Sequence, residues 1–181
     1  MSTEPSNFAT LRKTRADEPM AVSPSRAIAQ AGRQLTRILQ TDGPHAIGFC
    51  VSHSLPTETH YVASKFAKGS LRTARLFGDL SEATGASGRG EIQAIWLFGA
   101  HDISQFTASV AFVIFQDDIP STIQADIFFP AWRGEGDADS QTQSKPDWWW
   151  VQQVARAMGF NTGLQFASTS EIHDEMIAHA F

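Results

Sequence analysis

Residues 91–130 read EIQAIWLFGAHDISQFTASVAFVIFQDDIPSTIQADIFFP, and three runs within them alternate apolar and polar residues with the two-residue period of strands. Ile92, Ala94, Trp96 and Phe98 form one row, Phe106, Ala108, Val110, Phe112 and Ile114 a second, and Ile123, Ala125, Ile127 and Phe129 a third. Those rows face a core. The opposite rows begin with Glu91, Gln93, Thr107, Ser109, Thr122, Gln124 and Asp126, so part of the second face meets water or a partner. Gly99-Ala100-His101-Asp102 and Asp117-Asp118-Ile119-Pro120 carry turn residues between the runs, which predicts an antiparallel meander.

Working outward, residues 45–52 alternate Ile47, Phe49 and Val51 with small residues, which adds a fourth strand. Before it, Ser23-Pro24 opens a helix with a capping hydroxyl and a proline at the first helical position, and Ile28, Ala31, Leu35 and Ile38 follow at helical spacing. After it, Ser54 and Thr57 can cap a long helix reaching to about residue 82, with a kink or break at Gly69-Ser70. Ser144-Lys145-Pro146-Asp147 starts another helix, which Gly159 ends, and Ser168-Thr169-Ser170-Glu171 is a capping box for the last one. The expected architecture is α+β: an antiparallel or mixed sheet with core strands at about 91–99, 105–116 and 121–129, plus 45–52, and helices packed mainly on one face.

With 181 residues, 42% of them hydrophobic and 18% charged, the chain can bury a core without disulfides or metals to staple it. Residues 1–22 are polar, of mixed charge and without periodicity, which predicts a flexible arm preceding a single domain over 23–181. They contain no apolar segment of the kind found in secretion signals or membrane anchors. Residues 133–145, rich in Gly, Asp, Ser and Gln, predict a flexible acidic loop. The one cysteine, Cys50, cannot form an internal disulfide, which points to a reducing compartment and a cytoplasmic location.

Charge divides unevenly along the chain. Residues 1–90 hold 11 Lys and Arg against 7 Asp and Glu, a net +4, whereas residues 91–181 hold 3 against 12, a net −9. On the long predicted helix, Lys65, Lys68, Arg72 and Arg75 share an arc opposite the apolar one, forming a basic stripe suited to phosphates or an acidic protein surface. In the helix after residue 146, Trp149 falls among Gln152, Gln153 and Arg156, on the side away from the stripe of Trp148, Val151, Ala155 and Met158. A tryptophan placed so needs a cover, and Trp132 is a second candidate for the same surface.

No catalytic constellation stands out. The six histidines are dispersed, His173 and His179 do not share a helical face, and one cysteine cannot seed a thiolate site, so neither a metal nor another cofactor is expected. Ser52-His53-Ser54 lacks the strained turn of an activated nucleophile. Residues 84–90 are glycine-rich but lead from a helix into a strand, the reverse of a phosphate loop. The reading that follows is a non-catalytic cytosolic binding or regulatory protein. It would hold an anionic partner, protein or nucleic acid, through Lys65, Lys68, Arg72 and Arg75, and a protein partner or a second copy of itself through Trp149 and Trp132, with no membrane involved. The alternative is a small metal-dependent nuclease or other hydrolase using Glu91, Gln93 and Asp126 on the polar face of the sheet.

Overall fold

The computed structural model describes residues 9–12, 17–53, 55–78, 92–98, 111–116, 127–130 and 145–180. In chain order these form β1 (Thr10–Leu11), β2 (Met20–Ala21), α1 (Pro24–Thr41), β3 (Ile47–Val51), α2 (Thr57–Ser64), β4 (Leu76–Phe77), β5 (Ala94–Phe98), β6 (Ala111–Gln116), β7 (Ile127–Pro130), α3 (Asp147–Ala157) and α4 (Thr169–Ala180). The class is α+β with a mixed sheet, as the residue pattern predicts. The described strands make one sheet in the order β2-β1-β7-β6-β5-β3-β4.

Strand direction corrects the meander. β3, β5, β6 and β7 run parallel to one another in a continuous ladder that pairs Phe49 with Trp96, Trp96 with Val113, and Val113 with Ile127. β4 is also parallel to β3, on its other side, while β1 alone pairs antiparallel with β7 and β2. The physical reason lies in burial. Every residue of β3 and β5 is buried, including Cys50, Ile95 and Leu97, which alternation puts on the face expected to be polar. A run apolar on both rows belongs to a parallel sheet covered on both sides. Gln93, which with Glu91 suggested a wet face, precedes β5 rather than lying in it.

Within the expected arm, Thr10–Leu11 and Met20–Ala21 are strands of the sheet, and Val22 donates its N–H to Ala9 O at 2.9 Å. The expected loop at 133–145 lies outside the described residues except for Lys145.

Helices α1, α2 and α3 form a layer on one face. Ser23 caps α1 through the Arg26 N–H at 3.4 Å, and Ala27, Ala31, Leu35 and Ile38 turn inward. Where α1 meets α3, Gly32 permits close approach: a Cβ there would come within 2.9 Å of Ala157 Cβ. The rings of Phe49, Phe66, Trp96 and Phe98 fill the space between α2 and the sheet, with Phe49 and Trp96 centroids 5.4 Å apart. Trp150, fully buried, lies against Phe129 of β7 at 4.8 Å. α4 packs on α2.

The long helix predicted to reach residue 82 ends early. Beyond Ser64 the backbone widens into π-type turns over Lys65–Leu71, and Arg72 stops it in the left-handed conformation at φ 59°. Thr73, buried, explains the stop: its hydroxyl donates to Ile47 O at 2.9 Å and accepts the Arg75 N–H at 3.2 Å. That clamp holds residues 73–75 against β3, and β4 follows as an edge strand.

Candidate functional site

The order of the parallel strands points to a candidate ligand-binding edge. From β3 the chain places β4 on one side, and its next parallel strand, β5, goes to the other side, so the sheet reverses its direction of growth at β3. In open parallel sheets ligands sit outside the C-terminal ends of the strands where the order reverses, which here is the edge shared by β3 and β5. At that edge the Ser52 N–H extends the ladder to Phe98 O at 3.1 Å, and the Leu55 N–H closes a turn onto Ser52 O at 3.1 Å. Phe98, whose carbonyl takes the Ser52 bond, is fully buried.

His53 is exposed at the rim. Its ring lies over Gly78, just past β4, so closely that a Cβ on Gly78 would be 2.6 Å from His53 Cε1 and 2.7 Å from Nε2. The glycine leaves room for the imidazole in this position at the ends of β3 and β4. α2 begins four residues later, at Thr57, so its first-turn N–H groups and the positive end of its dipole lie at the same edge. An imidazole, a neighbouring hydroxyl on Ser52 and a helix start suit a polar or anionic ligand group and the movement of a proton.

A second polar cluster joins α2 to α4. Tyr61 OH donates to Glu175 Oε1 at 2.6 Å, and Lys65 Nζ makes an ion pair with the same oxygen. Burial, followed by the hydrogen bond to Glu175 and that carboxylate's charge, pushes the Tyr61 phenol up to about 12. At Glu175, burial acts to raise the pKa, but hydrogen bonds from Lys65 and Tyr61 and the charges of Lys65 and His179 outweigh it, and the carboxyl lies below its ordinary value. His173 Nε2 lies 2.7 Å from Glu58 Oε1 in the first turn of α2.

The residues singled out from the sequence are scattered by these elements. Lys65 is held by Glu175 and sits over the rings of Tyr61 and Phe166. Lys68 is exposed on the π-type turns, exposed Arg72 terminates them, and Arg75 belongs to the clamped segment before β4, so the four cations do not line one helix face. Trp149 is half-buried against the core, edge-on to Trp150 at 4.9 Å, and its neighbour Gln152 is buried rather than part of a polar side. Gln93 is half-buried, with its N–H on Ala46 O at 2.7 Å. Trp132, Glu91 and Asp126 lie outside the described residues.

Ser52 and His53 figure in the sequence reading only as part of a nucleophile that is set aside there, and Gly78 is not singled out. The available signal was the apolar run of β3 ending at Ser52-His53 directly before a helix, the form of a strand-to-helix turn in a parallel sheet. Among the described residues no group of three or more His, Cys, Asp and Glu could hold a metal ion, and Cys50 is buried. No helix among them is long and apolar enough to cross a membrane.

No family model matches the chain. Over 122 residues it is 31% identical to a nitrate reductase of Shewanella frigidimarina (strain NCIMB 400), a match covering 51% of this chain and 13% of that protein. Over 126 residues it is 28% identical to a nitrate reductase of Klebsiella oxytoca, covering 54% of this chain and 14% of that protein. The chain thus spans only a small part of the length of these relatives. Similarity to redox enzymes overturns the expectation of a non-catalytic binding or regulatory protein, which rested on charge and exposed tryptophans alone.

Proposed function

We propose that this chain has a redox role of the nitrate-reductase kind, in the cytoplasm, as the α/β unit that holds a ligand of the reaction at the edge shared by β3 and β5. The observation carrying the proposal is the reversal of strand order at β3, in a chain half of which aligns with two nitrate reductases. Electron transfer needs a group that accepts and returns electrons, and in most redox enzymes a bound cofactor supplies it while the protein binds and orients. Ser52 and His53 at that edge provide polar contacts for such a ligand or for an oxyanion substrate, and His53 can deliver the proton that reduction of an oxyanion consumes. The relatives are several times longer than the matched segment, so most of the machinery of such an enzyme lies outside it.

The test is to isolate the full chain from its native cell together with whatever copurifies, and to measure nitrate-dependent oxidation of reduced viologen. The same sample, denatured in acid, is examined by absorbance and mass spectrometry for a released redox-active group. Nitrate-dependent turnover that falls roughly tenfold or more in His53→Ala, the usual scale for losing a proton-transfer group, supports the proposal. Absence of both turnover and a redox-active group overturns it.

A further inference from the structure

Three features single out the C-terminal helix among the described elements. First, α4 is tethered lightly. It packs on α2, and Ile172 is its one fully buried residue, with Met176 half-buried, whereas α3 buries Trp148, Trp150, Val151, Val154 and Ala155. Second, it caps itself. The Glu171 N–H donates to Ser168 Oγ at 3.3 Å, and Glu171 Oε2 reaches back to the Ala167 N–H at 2.7 Å, so its first turn needs no support from the rest of the fold. Third, the chain before it is pinned. Gln152 of α3, buried, accepts the Phe166 N–H at 2.6 Å and donates to Phe166 O at 3.3 Å.

A fixed point at Phe166, a self-capped helix from Thr169, and polar fastenings at Glu175 and, in the first turn of α2, between His173 and Glu58 make a lever with a pivot and a catch. We propose that α4 is a latch that swings off α2 as a unit while α1, α3 and the sheet stay folded, with Glu175 as the catch that Tyr61 and Lys65 hold. Opening bares Tyr61 of α2 and Lys65 of the π-type turns after it, and separates His173 from Glu58 in the first turn of α2. Helices with few buried contacts open sub-globally while the core remains intact. The latch stands whether or not the candidate edge at β3 holds a redox ligand.

Hydrogen exchange of the full chain, followed by mass spectrometry near neutral pH, tests this. Peptides across α4, including the amide of Ile172, exchange together and roughly tenfold or more faster than peptides of α1 and α3. Glu175→Gln accelerates the α4 peptides several-fold and leaves α1 and α3 unchanged. Lys65→Met removes the other half of the catch and does the same, which keeps the test decisive if the first variant does not fold. Exchange of α4 in step with α1 and α3, fast exchange confined to its final turn, or a rate indifferent to both variants overturns the proposal.

Discussion

Tyr61 and Glu175, 114 positions apart in sequence, meet with the phenol donating to the carboxylate at 2.6 Å, and the contact makes the α2–α4 interface sensitive at both ends of the pH scale. Glu175 faces Tyr61 of α2 and Lys65 of the π-type turns after it and lies on the helix that also carries His173, Asp174 and His179; Glu58 is the acid on α2. Its folded pKa is depressed, so its contribution is complete above the ordinary carboxylate value and is lost as pH falls through the folded value. Tyr61 behaves oppositely: raised from 10.0 to about 12, it stabilises fully below pH 10 and loses that contribution as pH rises through about 12. Thermal melts across pH should show Glu175→Gln losing part of the acid limb and Tyr61→Phe part of the alkaline limb.

Gly32 should tolerate no side chain without movement of α1 against α3. A Cβ would lie 2.9 Å from Ala157 Cβ and 3.4 Å from the Ala157 carbonyl carbon, and the latter cannot rotate away. Overpacking a well-packed contact costs typically about 1–3 kcal/mol. Gly32→Val should lower the urea midpoint by a corresponding amount with an unchanged slope, whereas Gly69→Ala, where nothing lies within 4 Å, should not lower it through a clash.

Gln152 should be more costly to lose than an ordinary helix glutamine. Both its amide atoms serve the backbone of Phe166, and it is 3% exposed, so truncation leaves a buried N–H and C=O unsatisfied. Each such group costs about 1–3 kcal/mol. Gln152→Leu should lower denaturant stability by about that amount for each orphaned group, and Gln152→Glu, which keeps only an acceptor, should fall between it and the wild type.

Arg72 is the one described non-glycine residue with positive φ, and it ends the π-type turns after α2. Its side chain is exposed, so the left-handed backbone is the main strain that substitution can relieve. Arg72→Gly should raise Tm modestly, by an amount equivalent to about 1 kcal/mol or less once the added freedom of the unfolded chain is subtracted. A lower Tm would show that the arginine side chain contributes more than the backbone loses.

The same region shows what the sequence could and could not convey. Ser23-Pro24 and the spacing from Ala31 to Ile38 are local, and α1 lies where they predict. Gly159 likewise ends α3, with φ at 91°. Strand direction is not local: a two-residue period is identical in parallel and antiparallel ladders, and only the apolar character of Ile95 and Leu97 on the second row hinted at a doubly covered sheet. The end of α2 was hidden because Lys65, Lys68, Arg72 and Arg75 keep helical spacing through a point where Thr73 is captured by Ile47 of β3. The candidate edge at β3 was hidden for the same reason, since it brings together residues 52–53, 78 and 98.

Gly78 offers the cleanest separation of site from scaffold. The nearest atoms to a Cβ added there all belong to the His53 imidazole, at 2.6 and 2.7 Å for the closest two, and Gly78 does not have the positive φ that would itself resist a side chain. His53 is exposed, so its ring can rotate outward at little cost, in contrast to Ala157 beside Gly32. Gly78→Ala should therefore leave the denaturant midpoint within about 0.5 kcal/mol of wild type, the range usual for surface changes. The ring nonetheless has to leave its place at the end of β3, which should appear as altered imidazole proton shifts by NMR. If His53 serves the ligand at that edge, nitrate-dependent turnover of the native complex should fall with that displacement. A normal rate with a displaced ring would remove His53 from the chemistry and leave the edge to be judged by its other residues.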